Sequence, residues 1–330
     1  MRIQKWQIHF LLLAICSAML FVYLLGRDSR EQVVLLYDLG TTMENSFEEA
    51  IRRYSLIWDT RKVVFSESTL ESELESLSRQ GFRIIIGPRN SCQAMVLAPL
   101  LEKFGLFAIA PAVTSPEVLR ASNRIISLGV SDDYQVENIV EELIREEIGP
   151  LIIVKDVVNS IYTDYVVEGL VNALSETVIG VFEIESGFDL EIDAELLHRA
   201  DAVFFVANPR QTAISLRRIA SISRDIRFFA SDYSEGPELS MFGGKEIEAL
   251  IIYTFVYAEN DIKQGDSLHR GVLNAIILAD KLLSSERDLN QVFAEPGTLE
   301  FIGFENTVIK FNAEGFAELD MKGVKPNLSH

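Results

Sequence analysis

Short apolar runs alternate with amphipathic stretches along the chain from residue 33 onward. Val33 to Tyr37, Val63 to Phe65, Arg83 to Ile86 and Leu106 to Ile109 come first; Leu151 to Val154, Val178 to Phe182, Ala202 to Val206 and Arg227 to Ala230 follow. Each has strand length, and most are continuous rather than alternating, the pattern of strands buried on both faces. Between them the period becomes helical. Along Asp132 to Ile148, for instance, Val136, Ile139, Val140, Leu143 and Ile144 return at the spacing of one helix face. Near the end, Ser267 to Leu283 predicts a long helix. Val308 to Phe311 and Phe316 to Leu319 predict two strands joined through Asn312-Ala313-Glu314-Gly315. Strand and helix in alternation predict an α/β fold of doubly wound parallel sheets.

Two of these strands run into loops suited to a small anion. Ile84 to Ile86 stops at Gly87-Pro88, and Asn90 or Ser91 can cap the helix that follows, leaving main-chain N–H groups pointing outward. Leu106 to Ala110 is followed by Pro111 and then Thr114-Ser115-Pro116, with a hydroxyl at the cap and proline at the first helical position. In open parallel sheets ligands bind beyond the carboxyl ends of the strands, where Ser91 and Thr114 fall. The two residues are therefore candidates to hold a carboxylate. The plain alternative is that Ser91 and Ser115 only cap their helices.

The amino terminus has a different character. Residues 8 to 26 form an apolar run preceded by Arg2 and Lys5 and interrupted by His9. Its length suits either a short transmembrane helix or a long signal core. No small-x-small cleavage pattern precedes Leu24-Leu25-Gly26, which favours an uncleaved anchor. A cleaved signal and a lipid-modified Cys16 remain the alternatives, although Ile15 stands where a lipoprotein signal has a small residue. In each case the flanking positive charge leaves the main body outside the cytoplasm.

In motif and order, the stretch from residue 84 to 120 resembles the branched-chain amino acid (leucine/isoleucine/valine) and amide-binding receptors among the type I periplasmic binding proteins. Ile86-Gly87-Pro88, Ser91, Ala98-Pro99, Glu102, Gly105, Ile109, Pro111 and Thr114-Ser115-Pro116 stand in that family's register without an insertion. The match continues more weakly through Ser131-Asp132 and Tyr162 to about Phe255. The resemblance implies two doubly wound lobes joined by a hinge, with the chain crossing between them three times. Residues 1–26 would be the anchor or signal helix, 27–127 plus 257–311 lobe one, and 128–256 plus 312–330 lobe two. It further implies a ligand carboxylate on Ser91 and Thr114, an ammonium met by Asp232 after a lobe-two strand, Tyr162 walling the pocket, and Asn208 as another strand-end contact. Thr163 stands where the family has glycine, and the segment between Leu39 and Arg61 is shortened.

Composition narrows the function further. The chain has 330 residues, with 30 Lys and Arg against 49 Asp and Glu and a net charge of −19. No basic stripe is visible, so nucleic acid is excluded as a partner. Cys16 and Cys92 are too few for a disulfide framework, and His9, His198, His269 and His330 have no second ligand at metal spacing. No cofactor is implied. The chain lacks a nucleophile elbow, a phosphate loop and an H-E-x-x-H motif, and pairs such as Glu141-Glu142 form a solvated helix face. The sequence is thus read as a non-enzymatic solute receptor for an amino acid or small carboxylate, serving an ABC-type permease and tied to the membrane by its amino-terminal helix. The alternative is a tethered scaffold of the same fold whose degenerate pocket is replaced in function by an envelope-protein partner.

Overall fold

Two parallel sheets with the same winding carry the structure. The computed structural model describes residues 32–38, 42–54, 59–185, 190–223, 225–257, 267–285 and 287–326, so the amino-terminal apolar segment, with Cys16, lies outside the described residues. Among the described residues no helix is long and apolar enough to cross a membrane. The first sheet is built from β1 (Gln32–Tyr37), α1 (Thr42–Tyr54), β2 (Asp59–Val64), α2 (Glu67–Arg79), β3 (Ile84–Ile86), α3 (Ser91–Phe104), β4 (Phe107–Ala110), α4 (Pro116–Ala121) and β5 (Ile125–Ser127). Its strands pair in the order β2-β1-β3-β4-β5, all parallel.

The second sheet repeats that plan. After α5 (Asp132–Arg145) come β6 (Leu151–Asp156), α6 (Ser160–Ala173), β7 (Val178–Ile184), α7 (Ala194–Arg199), β8 (Ala202–Val206), α8 (Pro209–Ile222), β9 (Arg227–Ser231), α9 (Pro237–Gly243) and β10 (Leu250–Val256). The chain then adds α10 (Ser267–Leu283), α11 (Leu289–Ala294), a hairpin of β11 (Glu300–Ile302) and β12 (Val308–Lys310), and β13 (Asp320–Val324). The order is β7-β6-β8-β9-β10-β13, with only the β10–β13 pair antiparallel.

Continuous apolar strands are explained by cover on both faces. Val33 and Leu35 join a core with Met43 and Phe47 of α1 and Val272, Leu273 and Ile276 of α10. Val34 and Leu36 point the other way, against Leu70 and Leu74 of α2 and Leu97 and Leu101 of α3. In the second sheet Ile152, Val154, Val203 and Phe205 face one core, while Leu151, Ile153, Phe204 and Val206 face the other. Ile84, Ile85 and Ile86 are wholly buried, each contributing about 1.5–3 kcal/mol by leaving water. Edge strand β7 is instead partly exposed and carries Glu183, as unpaired sheet edges require.

The carboxyl-terminal region departs from expectation in part. Phe316 to Leu319 forms no regular strand, yet it returns antiparallel beside Val308 to Phe311: Phe311 bridges Ala317, Asn312 N donates to Phe316 O and Glu318 N to Lys310 O, both at 2.9 Å, while β12 itself pairs with β11 and Phe316 bridges Ser127. The cause is a turn. Asn312 Oδ1 accepts from Glu314 N and Phe316 N, both at 3.0 Å, which folds the segment back so that Phe316 fills the core beneath α3 and α4. Ala317 and Leu319 pack in the core beside α10. Residues 312–319 therefore pack with the first sheet's lobe rather than the second, and the chain joins the second sheet only at Asp320.

The connections between lobes run side by side. Tyr257 Oη donates to Leu128 O at 2.8 Å, and Ala317 N donates to Ser127 O at 2.9 Å and lies 3.2 Å from Gly129 O. Helix α10 meanwhile presses Gly271 against the loop after β4. A Cβ at Gly271 would overlap the Pro111 carbonyl oxygen. Alanine favours helix by about 1 kcal/mol over glycine, yet here Gly271→Ala should destabilise by about 1–3 kcal/mol through overpacking. Urea unfolding of the two proteins checks this, and equal or greater stability of the variant would show that the approach is not tight.

Candidate functional site

The carboxyl ends of both parallel sheets face one cleft that is partly open to solvent. Its first wall is the loop after β3. Gly87 adopts φ 120° and lies so close under β1 that a Cβ would overlap the Leu36 carbonyl oxygen, so glycine is needed to bring the loop down onto the sheet. Asn90 caps α3, its Oδ1 accepting from Gln93 N at 2.9 Å. Gln93 Nε2 in turn donates to Asp38 Oδ1 at 2.6 Å. This decides the choice between Asn90 and Ser91. With Asn90 at the cap, Ser91 falls in the first helical turn, only 1% exposed, and it is not among the residues lining the cleft, whereas Arg89 and Asn90 are. Ser91 is thus enclosed in the first turn of α3, off the cleft's lining.

The loop after β4 supplies Thr114, which does line the cleft. Its carbonyl accepts from Asp132 N at 2.9 Å, joining this loop to the start of α5. Ser115 occupies the cap position of α4, but its side chain makes no capping bond and its Oγ is buried without a partner.

From the other lobe, α6 contributes Tyr162 and the end of β9 contributes Asp232, and these two meet. Tyr162 Oη donates to Asp232 Oδ1 at 2.7 Å, with Gln135 Oε1 at 3.1 Å as a second acceptor, and Gln135 Nε2 reaches Asp232 Oδ2 at 3.5 Å. Burial raises the Asp232 pKa to about 6, against the lowering effect of the Tyr162 hydroxyl and the Tyr233 main-chain N–H. Behind them Asp132, wholly buried, has neither carboxylate oxygen hydrogen-bonded. Burial pushes its pKa well above the ordinary carboxylate value. The Thr114 hydroxyl beside it pulls the other way without closing a bond of ordinary geometry, and the Asp232 charge adds to the rise. Sequence reasoning noted Asp132 only as part of a motif. An aspartate in the first turn of a helix is ordinarily exposed, so nothing in the pattern marks this one as enclosed.

Asn208 is occupied elsewhere. Its N and Nδ2 donate to Asp156 Oδ2 at 2.7 and 3.0 Å, and its Oδ1 caps α8 by accepting from Gln211 N at 3.1 Å. It is not among the residues lining the cleft. The same Asp156 accepts from Val158 N at 3.1 Å and Asn159 N at 3.5 Å. Asn208 thus braces the loop after β6 through Asp156. Thr163, the residue in place of glycine, is wholly buried and donates from Oγ1 to Asp156 O at 2.9 Å, fastening α6 to its strand.

Two contacts close the cleft from lobe to lobe. Asn159 Oδ1 accepts from Cys92 N, at the start of α3, at 3.3 Å. Glu235 Oε2 accepts from Ser267 N at 3.2 Å and Ser267 Oγ at 2.6 Å at the start of α10, and also from Thr254 Oγ1 at 3.1 Å. Both place an oxygen at a helix N-terminus, where the helix dipole favours it. Among the described residues no group of three or more His, Cys, Asp or Glu side chains is placed to hold a metal ion.

The chain matches no protein-family model, and no curated protein matches it in sequence. Solved structures do match in shape. A leucine-binding protein of Thermotoga maritima superposes with a TM-score of 0.69 at 15% identity, over 90% of this chain and 99% of its own. A possible leucine/isoleucine/valine-binding protein of Rhodopirellula baltica gives 0.71 at 13% identity, over 91% and 95%. An ABC-transporter solute-binding protein of R. palustris, in complex with benzoate, gives 0.70 at 12% identity, over 88% and 92%. The chain thus has the two-lobed α/β fold of the type I periplasmic binding proteins.

The enclosed carboxyls set a pH dependence. Because the folded Asp232 holds its proton up to about pH 6, against an unfolded value near 3.8, the native state binds more protons across that window and stability falls as pH rises through it. Asp132 acts in the same direction. Asp232→Asn should remove part of this slope, read as the difference in urea-unfolding free energy between the variant and the parent at about pH 4.5 and about pH 7. Identical slopes would show that Asp232 is not enclosed.

Proposed function

We propose that this chain is an extracytoplasmic solute-binding protein whose two lobes close over an amino acid or similar small carboxylate and present it to an ABC-type permease. One observation carries the reading: Thr114 from one lobe and the Tyr162–Asp232 pair from the other line a single cleft at the carboxyl ends of both sheets. That is where open parallel sheets bind ligands. The structural neighbours that share the fold include proteins named for leucine or solved with isoleucine or benzoate.

Each wall has a role in this reading. The Thr114 hydroxyl donates to an oxygen of the ligand. Asp232, oriented by Tyr162, receives a donor group, and a ligand ammonium would draw its pKa back toward the ordinary carboxylate range. Since the groups sit on opposite lobes, a ligand that touches both favours the closed state over the open one, and hinge closure follows as a shift of population. Binding rather than catalysis is the proposed outcome. The amino-terminal apolar segment, as anchor or signal, would deliver the body to the outer face of the membrane.

One contact favours a second reading, a scaffold of this fold that holds another protein. Asn159 already fills the N-terminus of α3, so a ligand loses that docking point. Thermal unfolding of the full chain with amino acids, amides and small carboxylates separates the two readings. A true ligand at a hundredfold excess over its dissociation constant stabilises by about 2.7 kcal/mol, and Asp232→Ala should abolish the shift. No shift with any of them, for protein refolded to remove co-purified ligand, would leave the scaffold.

A further inference from the structure

Where the cleft's own groups are spent, and where one is not, points to what it selects. The main-chain N–H of Cys92, in the first turn of α3, donates to Oδ1 of the cleft-lining Asn159 at 3.3 Å. This is a built contact. Asn159 is 4% exposed; its own N–H is held by Asp156, and Asp156 is held by Asn208. Asp156 thus ties the Asn159 main chain to Asn208, and the Asn159 amide oxygen, the neutral counterpart of a carboxylate oxygen, lies at the start of α3.

The charge left facing the cleft is Arg89. It lies in the loop between β3 and α3, lines the cleft, is half-buried, and makes no ion pair among the described residues. The acids that share the cleft already have donors: Asp232 has Tyr162 and Gln135, and Glu235 has Ser267 and Thr254. In a chain of net charge −19, a cleft-facing guanidinium without a carboxylate is unusual. A guanidinium withdrawn from water is best completed by a planar anion, which its fork meets with two parallel hydrogen bonds. Its field is felt by the neighbouring Tyr233 hydroxyl, which burial and then Asp156 push above the usual phenol pKa while Arg89 pulls it back. The remaining walls suit a flat body. Tyr162 and Tyr233 meet edge to face at 5.6 Å, and Ala112 and Leu268 add apolar surface.

We propose that Arg89 is the specificity-determining residue of the cleft, holding the carboxylate of a planar, aromatic acid, while Asn159 bars the α3 docking that an aliphatic amino acid would use. This rests on the solute-binding reading and narrows it. On this docking the acid's ring lies against the two tyrosines, and a ring hydroxyl can donate to Asp232.

Calorimetric titration of the full chain with benzoate, its mono- and dihydroxy derivatives, phenylacetate and L-leucine tests the assignment. At least one aromatic acid should bind the parent protein more tightly than leucine does. Arg89→Gln should weaken that binding roughly 10- to 100-fold, the loss of a charge-assisted pair, and Arg89→Lys should recover part of it. Asn159→Ala, with α3 unblocked, should gain affinity for leucine. Undiminished binding of the aromatic acid by Arg89→Gln, or leucine bound in preference and indifferent to Arg89, overturns the role of Arg89 and leaves a solute receptor standing. Silence toward every probe in the parent and in Asn159→Ala overturns the aromatic-acid assignment and counts equally against the solute-binding reading.

Discussion

Parallel pairing is the constraint from which the rest of this molecule follows. A parallel strand cannot be reached by a tight turn, so each return needs a crossover that packs on the sheet. With crossovers on both faces, Val33 to Leu36 and Ala202 to Val206 have water on neither side. Only the strand ends stay open, and at the carboxyl ends the loops lead into helix N-termini with unsatisfied N–H groups. Polar chemistry is thereby confined to the strip where Arg89, Thr114, Asn159 and Asp232 sit.

The same confinement explains the electrostatics of the cleft. Side chains brought to the sheet ends stand next to low-dielectric cores, so their charges must be paired or neutralised. Asp156 is raised by burial and brought down by the N–H groups of Asn208, Val158 and Asn159. Asp232 is satisfied by Tyr162, and burial pushes the pKa of Asp132, whose carboxylate oxygens have no hydrogen-bond partner, well above the ordinary carboxylate value. A strongly acidic chain thus presents a cleft in which acid groups are largely committed to partners of their own.

Legibility in the sequence followed burial. Ile84 to Ile86 had to be apolar at every position, so strand, loop and following helix were readable, and Gly87 and Asn90 punctuate them. The strand Asp320–Val324 lies at an antiparallel edge with only Val324 fully buried, so Asp-Met-Lys-Gly-Val carries no apolar run to read. The turn at Asn312 to Gly315 was legible, but not that Asn312 holds it through its side chain, which leaves Phe316 to Leu319 short of a regular strand. At the cleft, Thr114 was named from its place after a strand and Tyr162 and Asp232 through the family resemblance, and all three line it. Ser91 and Asn208 have equivalent places and other duties, decided by Asn90 one residue earlier and by Asp156 far away in sequence. Arg89 was hidden by type, since an arginine in a loop ordinarily reaches solvent.

The bonds that lash the interlobe segments together shape how such a molecule can move. Tyr257 is tied to Leu128, and Ala317 to Ser127, so sliding one segment along another would break these bonds, whereas flexing all of them together leaves each bond intact. Resistance would be high to shear and low to bending. On the proposed closure of the lobes the segments would act as a leaf spring, guiding the lobes along an arc that ends where a ligand fills the cleft.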